Sequence, residues 1–242
     1  LRGARAPGQA SGMRQRLRKP RRKATFRRLV SSRAGAAGKP LTELSGEKMY
    51  TGIMQGTYEV IGVRRQANLL SYEVLLDPER VAGLEIGASV SIDGVCQTVV
   101  SVEDNRVAFD AIRETLDRTT LGTLELGDQV AVERSARVGD EIGGHDVAGH
   151  VIGMGEVLEV QDQENVFVLR IGISENWMKY VLDKGFIAVN GSSLTVCDAD
   201  RDGSFAVHLI PETLRLTRLG AKRPGDRVNV ELDSRTVAIV NT

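Results

Sequence analysis

The sequence predicts an all-β protein: two tandem, homologous, six-stranded antiparallel Greek-key β-barrels with short helices. Three observations predict it. The chain repeats itself at an offset of 97 to 98 residues. Its apolar residues alternate with polar ones in short runs rather than at helical spacing. Its 26 glycines punctuate those runs as turns.

The repeat comes first, because a fixed period dictates the architecture. Residues 51–60 read TGIMQGTYEV and residues 148–157 read AGHVIGMGEV. DGVCQTV (93–99) matches NGSSLTV (190–196), and LEIG (84–87) matches LDKG (182–185). Residues 114–133 and 212–231 both fit E-T-L-x4-L-G-x4-G-D-x-V-x-V-E. Each copy is a usual small-domain size. The expected units are a first barrel at 49–144, a second at 145–234 and the start of a truncated C-terminal helix at 235–242.

In chain order, YEVIGV, GASVSI, DQVAVE, VFVLRIGI, GFIAVN and DRVNVE read as strands bounded by Gly, Asp or Asn. DPERVAGLEIG starts a short helix, with Asp77 as N-cap and Pro78 at its first position. SENWMKYVLDKG is its counterpart, with Ser174 as N-cap, Trp177, Met178, Val181 and Leu182 on one face, and Gly185 beyond the end. A further helix is expected at each Glu-Thr-Leu, the second opened by Pro211. Closing such strands into a barrel removes exposed sheet edges.

Bulk composition narrows the function classes. No run of 18 apolar residues occurs, so no membrane-spanning helix is expected. Cys96 and Cys197 are too few for a disulfide framework, which favours a reducing, intracellular setting. No spacing resembles a zinc site, a phosphate loop or a dinucleotide fingerprint.

The zero net charge hides an asymmetry. Residues 1–48 hold fourteen of the 32 basic residues and two of the 32 acidic ones, so a +12 head precedes a −12 body. The head lacks apolar periodicity and reads as disordered. Three readings compete: a nucleic-acid arm, an organellar transit peptide, or a stretch outside the mature protein. The third is favoured, because Leu1 is not a usual initiator and Met49 stands directly before the first repeat.

Differences between equivalent positions carry the functional signal. Cys96 stands where the second copy has Ser193, Ile86 where it has Lys184, Asp110 where it has His208, and Ile53 where it has His150. Thr98 and Thr195 agree. A thiol or hydroxyl two residues before a threonine on a strand puts both side chains on one face. The repeated pair reads as one wall of a ligand pocket in each barrel. Singly, each residue has a plainer reading: a small buried thiol, a turn hydroxyl, a lysine favoured by a helix C-terminus. His145, between the copies, completes the three histidines.

The stretches MYTGIMQGTYEV, DGVCQTV, RETLDRTTLG, GDEIGGHDVAGHV, MKYVLDKGFIAVNGSSLTV and HLIPETLRLTRLG together resemble the riboflavin synthase family, from Met49 to about Asp233. The resemblance implies two lumazine-binding barrels and a homotrimer with sites between subunits. It implies a dismutation of two molecules of 6,7-dimethyl-8-ribityllumazine into riboflavin and 5-amino-6-ribitylaminouracil, in the bacterial cytoplasm, with no cofactor and no metal. It assigns a first pocket to Gly52, Ile53, Met54, Cys96, Gln97, Thr98 and Asp110, Ala111, Ile112, Arg113, Glu114, Thr115. It assigns a second to Gly149, His150, Val151, Lys184, Ser193, Leu194, Thr195 and His208, Leu209, Ile210, Pro211, Glu212, Thr213. Ser193, Thr195, His150 and Lys184 become candidates for nucleophile delivery and proton transfer, with Cys96 on the opposing face. Ser89 and Asp233 match family positions near the junction.

Asn190 stands where the family often has Asp, and Val95 where some members have a second Cys. The family's longer C-terminal helix, which packs the trimer, is expected to begin at 235–242. The alternative is a non-catalytic lumazine- or flavin-binding protein of the same fold. A protein driven by the basic head to bind nucleic acid is a distant third.

Overall fold

The computed structural model describes residues 49–242, save Asn165 and Asp202. The expectations for residues 1–48 lie outside the described residues. In the first barrel, β1 (Gly56–Gln66), β2 (Leu69–Leu75), β3 (Ser89–Ile92), β4 (Val95–Glu103), β5 (Arg106–Ile112) and β6 (Gln129–Arg134) close in the order β1-β2-β5-β4-β3-β6. In the second, β7 (Gly153–Gln163), β8 (Val166–Gly172), β9 (Phe186–Val189), β10 (Ser192–Asp200), β11 (Ser204–His208) and β12 (Arg227–Leu232) repeat that order with six added to each number. Consecutive strands β3, β4 and β5 lie side by side and β6 returns beside β3, which is a Greek key.

Alternation builds the cores. Val60, Leu70, Tyr72, Ile92, Phe109 and Val132 fill the first barrel, with the Tyr72 and Phe109 rings 5.4 Å apart. Leu169, Ile171, Ile187, Val189 and Phe205 fill the second. Each such side chain contributes about 1.5–3 kcal/mol on burial. Bulges at Val60/Gly62 and Val99/Ser101, and at Val157/Glu159 and Cys197/Asp200, bend the long strands around these small interiors.

The expected short helices are present. Asp77 caps α1 (Pro78–Val81) by accepting from the Arg80 N–H. The Glu-Thr-Leu stretches form α2 (Arg113–Arg118) and α4 (Pro211–Leu216), each followed by a 3-10 turn that buries Leu121 or Leu219. The helix after Ser174 is shorter than expected. α3 (Glu175–Met178) is four residues long, its N-cap makes no side-chain bond, and Leu182 is half-exposed. Too few turns form for a continuous apolar face. α5 (Ser234–Val240) ends the chain, capped by Asp233.

The barrels meet around a pseudo-two-fold axis. Tyr50 and Val147 are equivalent residues, and they pair with each other, N–H to C=O, at 2.7 and 3.0 Å. Gly94 and Gly191 are also equivalent and also touch. A Cβ on Gly94 would stand 2.4 Å from the Gly191 nitrogen, and one on Gly191 would stand 2.8 Å from the Gly94 Cα. Two contacts between equivalent residues define a dyad, as in an isologous interface. Beside it, Asn229 donates to the Asp93 carbonyl and Thr120 Oγ1, and accepts from the Thr120 N–H.

Two predictions follow from this junction. Asp93 and Asn190 are equivalent, both at positive φ, and each accepts from one backbone N–H of β6 or β12. Burial lifts the Asp93 carboxyl to about 6, against the pull of the Ala131 N–H, Lys222 and Arg218. A raised acid favours the fold below its unfolded value and loses that contribution as pH rises through about 6. Asp93→Asn should therefore raise urea-denaturation stability at pH 7 by about 1 kcal/mol after solvent screening. It should also flatten the fall in stability between the unfolded value and about pH 6. Second, Gly94→Ala should cost about 3 kcal/mol, because no backbone shift frees one glycine without moving its equivalent. The same denaturation midpoint measures it.

Candidate functional site

Each barrel has an opening in its wall. β4 pairs with β3 over residues 95–98 but with β5 only from Val99 onward. β10 pairs with β9 over residues 192–195 but with β11 only from Val196 onward. Continued past the last pair, the register sets Thr98 across from Asp110 and Cys96 across from Ile112, and Thr195 across from His208 and Ser193 across from Ile210. In an antiparallel strand, successive residues aim their N–H and C=O groups to alternate sides. Those of Thr98 and Thr195 therefore point into the openings. A flat, polar heterocycle could take the place of the missing strand there.

The floor of each opening comes from the other copy. The Cys96 N–H donates to the Gly149 carbonyl at 3.0 Å, and the Ser193 N–H donates to the Gly52 carbonyl at 2.8 Å. A Cβ on Gly52 would meet the Ser193 Cβ at 2.5 Å, and one on Gly149 would meet the Cys96 Cβ at 2.7 Å. Only glycine fits. The incoming stretches cross at the Tyr50–Val147 pair, so TGI lies on the second wall and AGH on the first.

Two buried carboxylates hold these stretches. Glu133 on β6 accepts from the Thr51 N–H and Oγ1 at 2.7 and 2.8 Å and from the Gly52 N–H at 3.1 Å. Burial raises it to about 7 despite those donors. Glu231, its equivalent on β12, accepts from the Ala148 N–H at 2.7 Å and is likewise raised by burial, opposed by the N–H groups of Ala148, Gly149 and His150. Both carboxylates brace the backbone and stand behind the walls.

The residues assigned from the sequence regroup accordingly. Gly52 and Ile53 belong with Ser193 and Thr195, whereas Gly149 and His150 belong with Cys96 and Thr98. His150 is thus brought to the thiol wall and not to the serine wall. Lys184, at φ 64, lies at the far end of the second wall with Nζ 4.0 Å from the Cys197 sulfur. Gln97, Leu194, Ala111, Leu209 and Met54 are buried, so their side chains face the interior and not an opening. Gln97 instead accepts from the Tyr72 hydroxyl at 3.3 Å. Val151 packs against the first core. At the rim, Arg113 pairs with Asp117, Glu114 with Arg118 and Glu212 with Arg215, all exposed. Ile112, Ile210 and Pro211 are exposed, and Thr115 and Thr213 accept through their carbonyls from Thr119 and Thr217.

His145 was not among the assigned residues. Its Nδ1 lies 2.6 Å from Ser193 Oγ, and its ring stacks on Phe186 with centroids 5.0 Å apart. On the first wall, the Tyr50 hydroxyl donates to the Cys96 sulfur at 3.3 Å.

Two surface cavities lie apart from most of this. One of about 530 Å³ sets Arg80, Arg134 and Arg137 among Glu79, Asp140 and Glu141, and shares Thr51 and Glu133 with the crossing. The other, about 160 Å³, is lined by Val166, Val168, Arg170, Asp198 and Ala206 and reaches His208. Neither contains Cys96, Thr98, Ser193 or Thr195. Among the described residues no group of His, Cys, Asp and Glu could hold a metal ion, and no helix is long and apolar enough to cross a membrane.

The family model described as the lumazine binding domain matches twice, at residues 51–135 and 148–233. The riboflavin synthase of Escherichia coli (strain K12) is 45% identical over 195 residues, covering 80% of this chain and 91% of the relative. That of Chlamydia pneumoniae is 44% identical over 194 residues, covering 80% and 94%. Among solved structures, LumP complexed with riboflavin superposes with a TM-score of 0.72 at 23% identity, covering 77% of this chain and 100% of LumP. LumP complexed with 6,7-dimethyl-8-(1'-D-ribityl) lumazine gives 0.68 at 24%, covering 76% and 98%. Those likenesses concern the fold, while the sequence relatives and the twice-matched domain go further: this chain belongs to the riboflavin synthase family.

Proposed function

We propose that the chain is a riboflavin synthase, a transferase that moves a four-carbon unit between two molecules of 6,7-dimethyl-8-ribityllumazine. One product is riboflavin and the other is 5-amino-6-ribitylaminouracil. The atoms of two substrates equal those of the two products, so the step needs no outside oxidant or reductant. The observation that carries this reading is the pair of equivalent openings, each with a hydroxyl or thiol two residues before a threonine. Two copies of one substrate call for two such sites.

The substrate's flat ring would take backbone bonds from the Thr98 and Thr195 edges. Holding two rings in a fixed relation supplies much of the acceleration by orientation. On the second wall, Ser193 and Thr195 would deliver the nucleophile or the water that acts as one, with Lys184 at the far end. On the first, Cys96 and His150 would meet the other substrate and move protons. We take 49–144 and 145–234 as the two lumazine-binding units, in a bacterial cytoplasmic protein whose two cysteines stay reduced. A homotrimer would bring the first barrel of one subunit to the second barrel of its neighbour. α5, which exposes Ile239 and Val240, supports a subunit contact.

Incubation with 6,7-dimethyl-8-ribityllumazine should produce riboflavin, followed by its absorbance and fluorescence. Binding without growth of riboflavin would favour a ligand-binding protein of the same fold. Ser193→Ala and Lys184→Ala should each lower kcat by about a hundredfold with the fold intact, and Cys96→Ser by less. Unchanged rates in the first two would overturn the site assignment. Sedimentation of the full natural gene product should give three subunits, and a monomer that still turns over substrate would exclude the shared site.

A further inference from the structure

His145 is buried, lies in the stretch joining the barrels and has no part in the reaction as read above. Its Nδ1 is 2.6 Å from Ser193 Oγ, while its Nε2 is buried with no hydrogen-bond partner among the described residues. Its surroundings select a protonation state. Burial disfavours the imidazolium, opposed by Asp233 and Asp146 and assisted by Arg235. Of the two neutral tautomers, one would leave a buried N–H unpaired at Nε2, and the other only a lone pair. Orphaned buried N–H groups are the rarer of the two in proteins. The hydrogen bond made by one ring nitrogen fixes the state of the other.

We infer that His145 is a positioning residue for Ser193: its Nδ1–H donates to the serine Oγ, which turns the serine's own proton outward into the opening.

The surrounding packing favours one geometry. Phe186 stacks on the ring at an interplanar angle of 15° and fixes its plane. Gly144 brings the chain so close that a Cβ there would stand 2.8 Å from Ser193 Oγ and 2.2 Å from the Thr51 carbonyl oxygen. No bulkier residue would let the linker lie there. The first wall has a parallel device at a different position. Tyr50 donates to Cys96, but the residue equivalent to Tyr50 is Val147, whose side chain has no donor to offer. His145, two residues earlier, supplies on the second wall what Tyr50 supplies on the first.

This inference rests on Ser193 facing a ligand, as the proposed function requires. A double-mutant cycle in the full chain tests it with His145→Phe, which keeps a stacked ring, and Ser193→Ala. Both kcat for 6,7-dimethyl-8-ribityllumazine and the riboflavin dissociation constant, read by fluorescence, are measured. His145→Phe should lower kcat at least about tenfold with Ser193 present and by less than about twofold in the Ser193→Ala background. The same factor in both backgrounds, or none in the first, would overturn it. His145→Asn, which can return an N–H to the Nδ1 position, should recover most of the loss, and His145→Gln should not. That pair decides the matter even if the phenylalanine variant fails to fold, since Gln performing as well as Asn would also overturn it. If the wild-type chain binds riboflavin but forms none, the reaction reading fails. Coupling in the dissociation constant alone would then uphold the Ser193–His145 link, and its absence would overturn that too.

Discussion

The constraint on which the rest depends is the contact between equivalent residues at the dyad. Backbone meets backbone at Gly94–Gly191 and again at Tyr50–Val147. Nothing larger than hydrogen fits at the first, and a two-way N–H to C=O pair fixes the second. Together they determine how the two incoming stretches cross. The crossing then determines which glycine lies against which wall strand, and so which side chains surround each opening. A ligand site built this way inherits its accuracy from main-chain geometry. Main chain varies less in position than long side chains do.

Holding the crossing in place has an electrostatic cost. Glu133 and Glu231 are carboxylates withdrawn from water, and burial pushes both upward. Glu133 is offset by the Thr51 N–H and hydroxyl and the Gly52 N–H, and Glu231 by the Ala148 N–H, its Oε2 having no hydrogen-bond partner among the described residues. A neutral residue in place of Glu133 would avoid the desolvation, but its single oxygen could not accept from all three donors in the same geometry. The glutamates thus trade stability for a fixed backbone beside the openings. The junction's Asp93 lacks such a set of donors, and its equivalent in the second copy is already the neutral Asn190.

Much of the fold was legible in the sequence, for a physical reason. A repeat doubles every local signal, and period-two alternation with Gly-bounded corners leaves few closed architectures for about six strands per copy. The four-residue α3 is shorter than its sequence suggests because Trp177, Met178, Val181 and Leu182 imitate a helical stripe that the chain leaves after one turn. The chemistry of the walls was legible too, since Cys96, Thr98, Ser193 and Thr195 share parity along their strands. That same parity excludes the side chains of Gln97 and Leu194, which face inward. What the sequence did not carry was the exchange of TGI and AGH between walls. Local pattern fixes which residues line a strand, but not which barrel a connecting stretch crosses to. His145 was obscured for the same reason, and its only signal was the Gly-Gly before it, which lets the linker approach a serine 48 residues further along.

The crossing at Tyr50–Val147 also bears on how such a protein can change over generations. Two separate copies of one module, joined by the same dyad, would have to carry identical residues at every equivalent position. Cys96 and Ser193 could then not differ, nor Asp110 and His208, nor Ile53 and His150. Covalent fusion of the copies removes that identity requirement while leaving the axis intact. Selection can then act on each wall separately, and an arrangement inherited as symmetric becomes free to assign unlike roles to two molecules of the same compound.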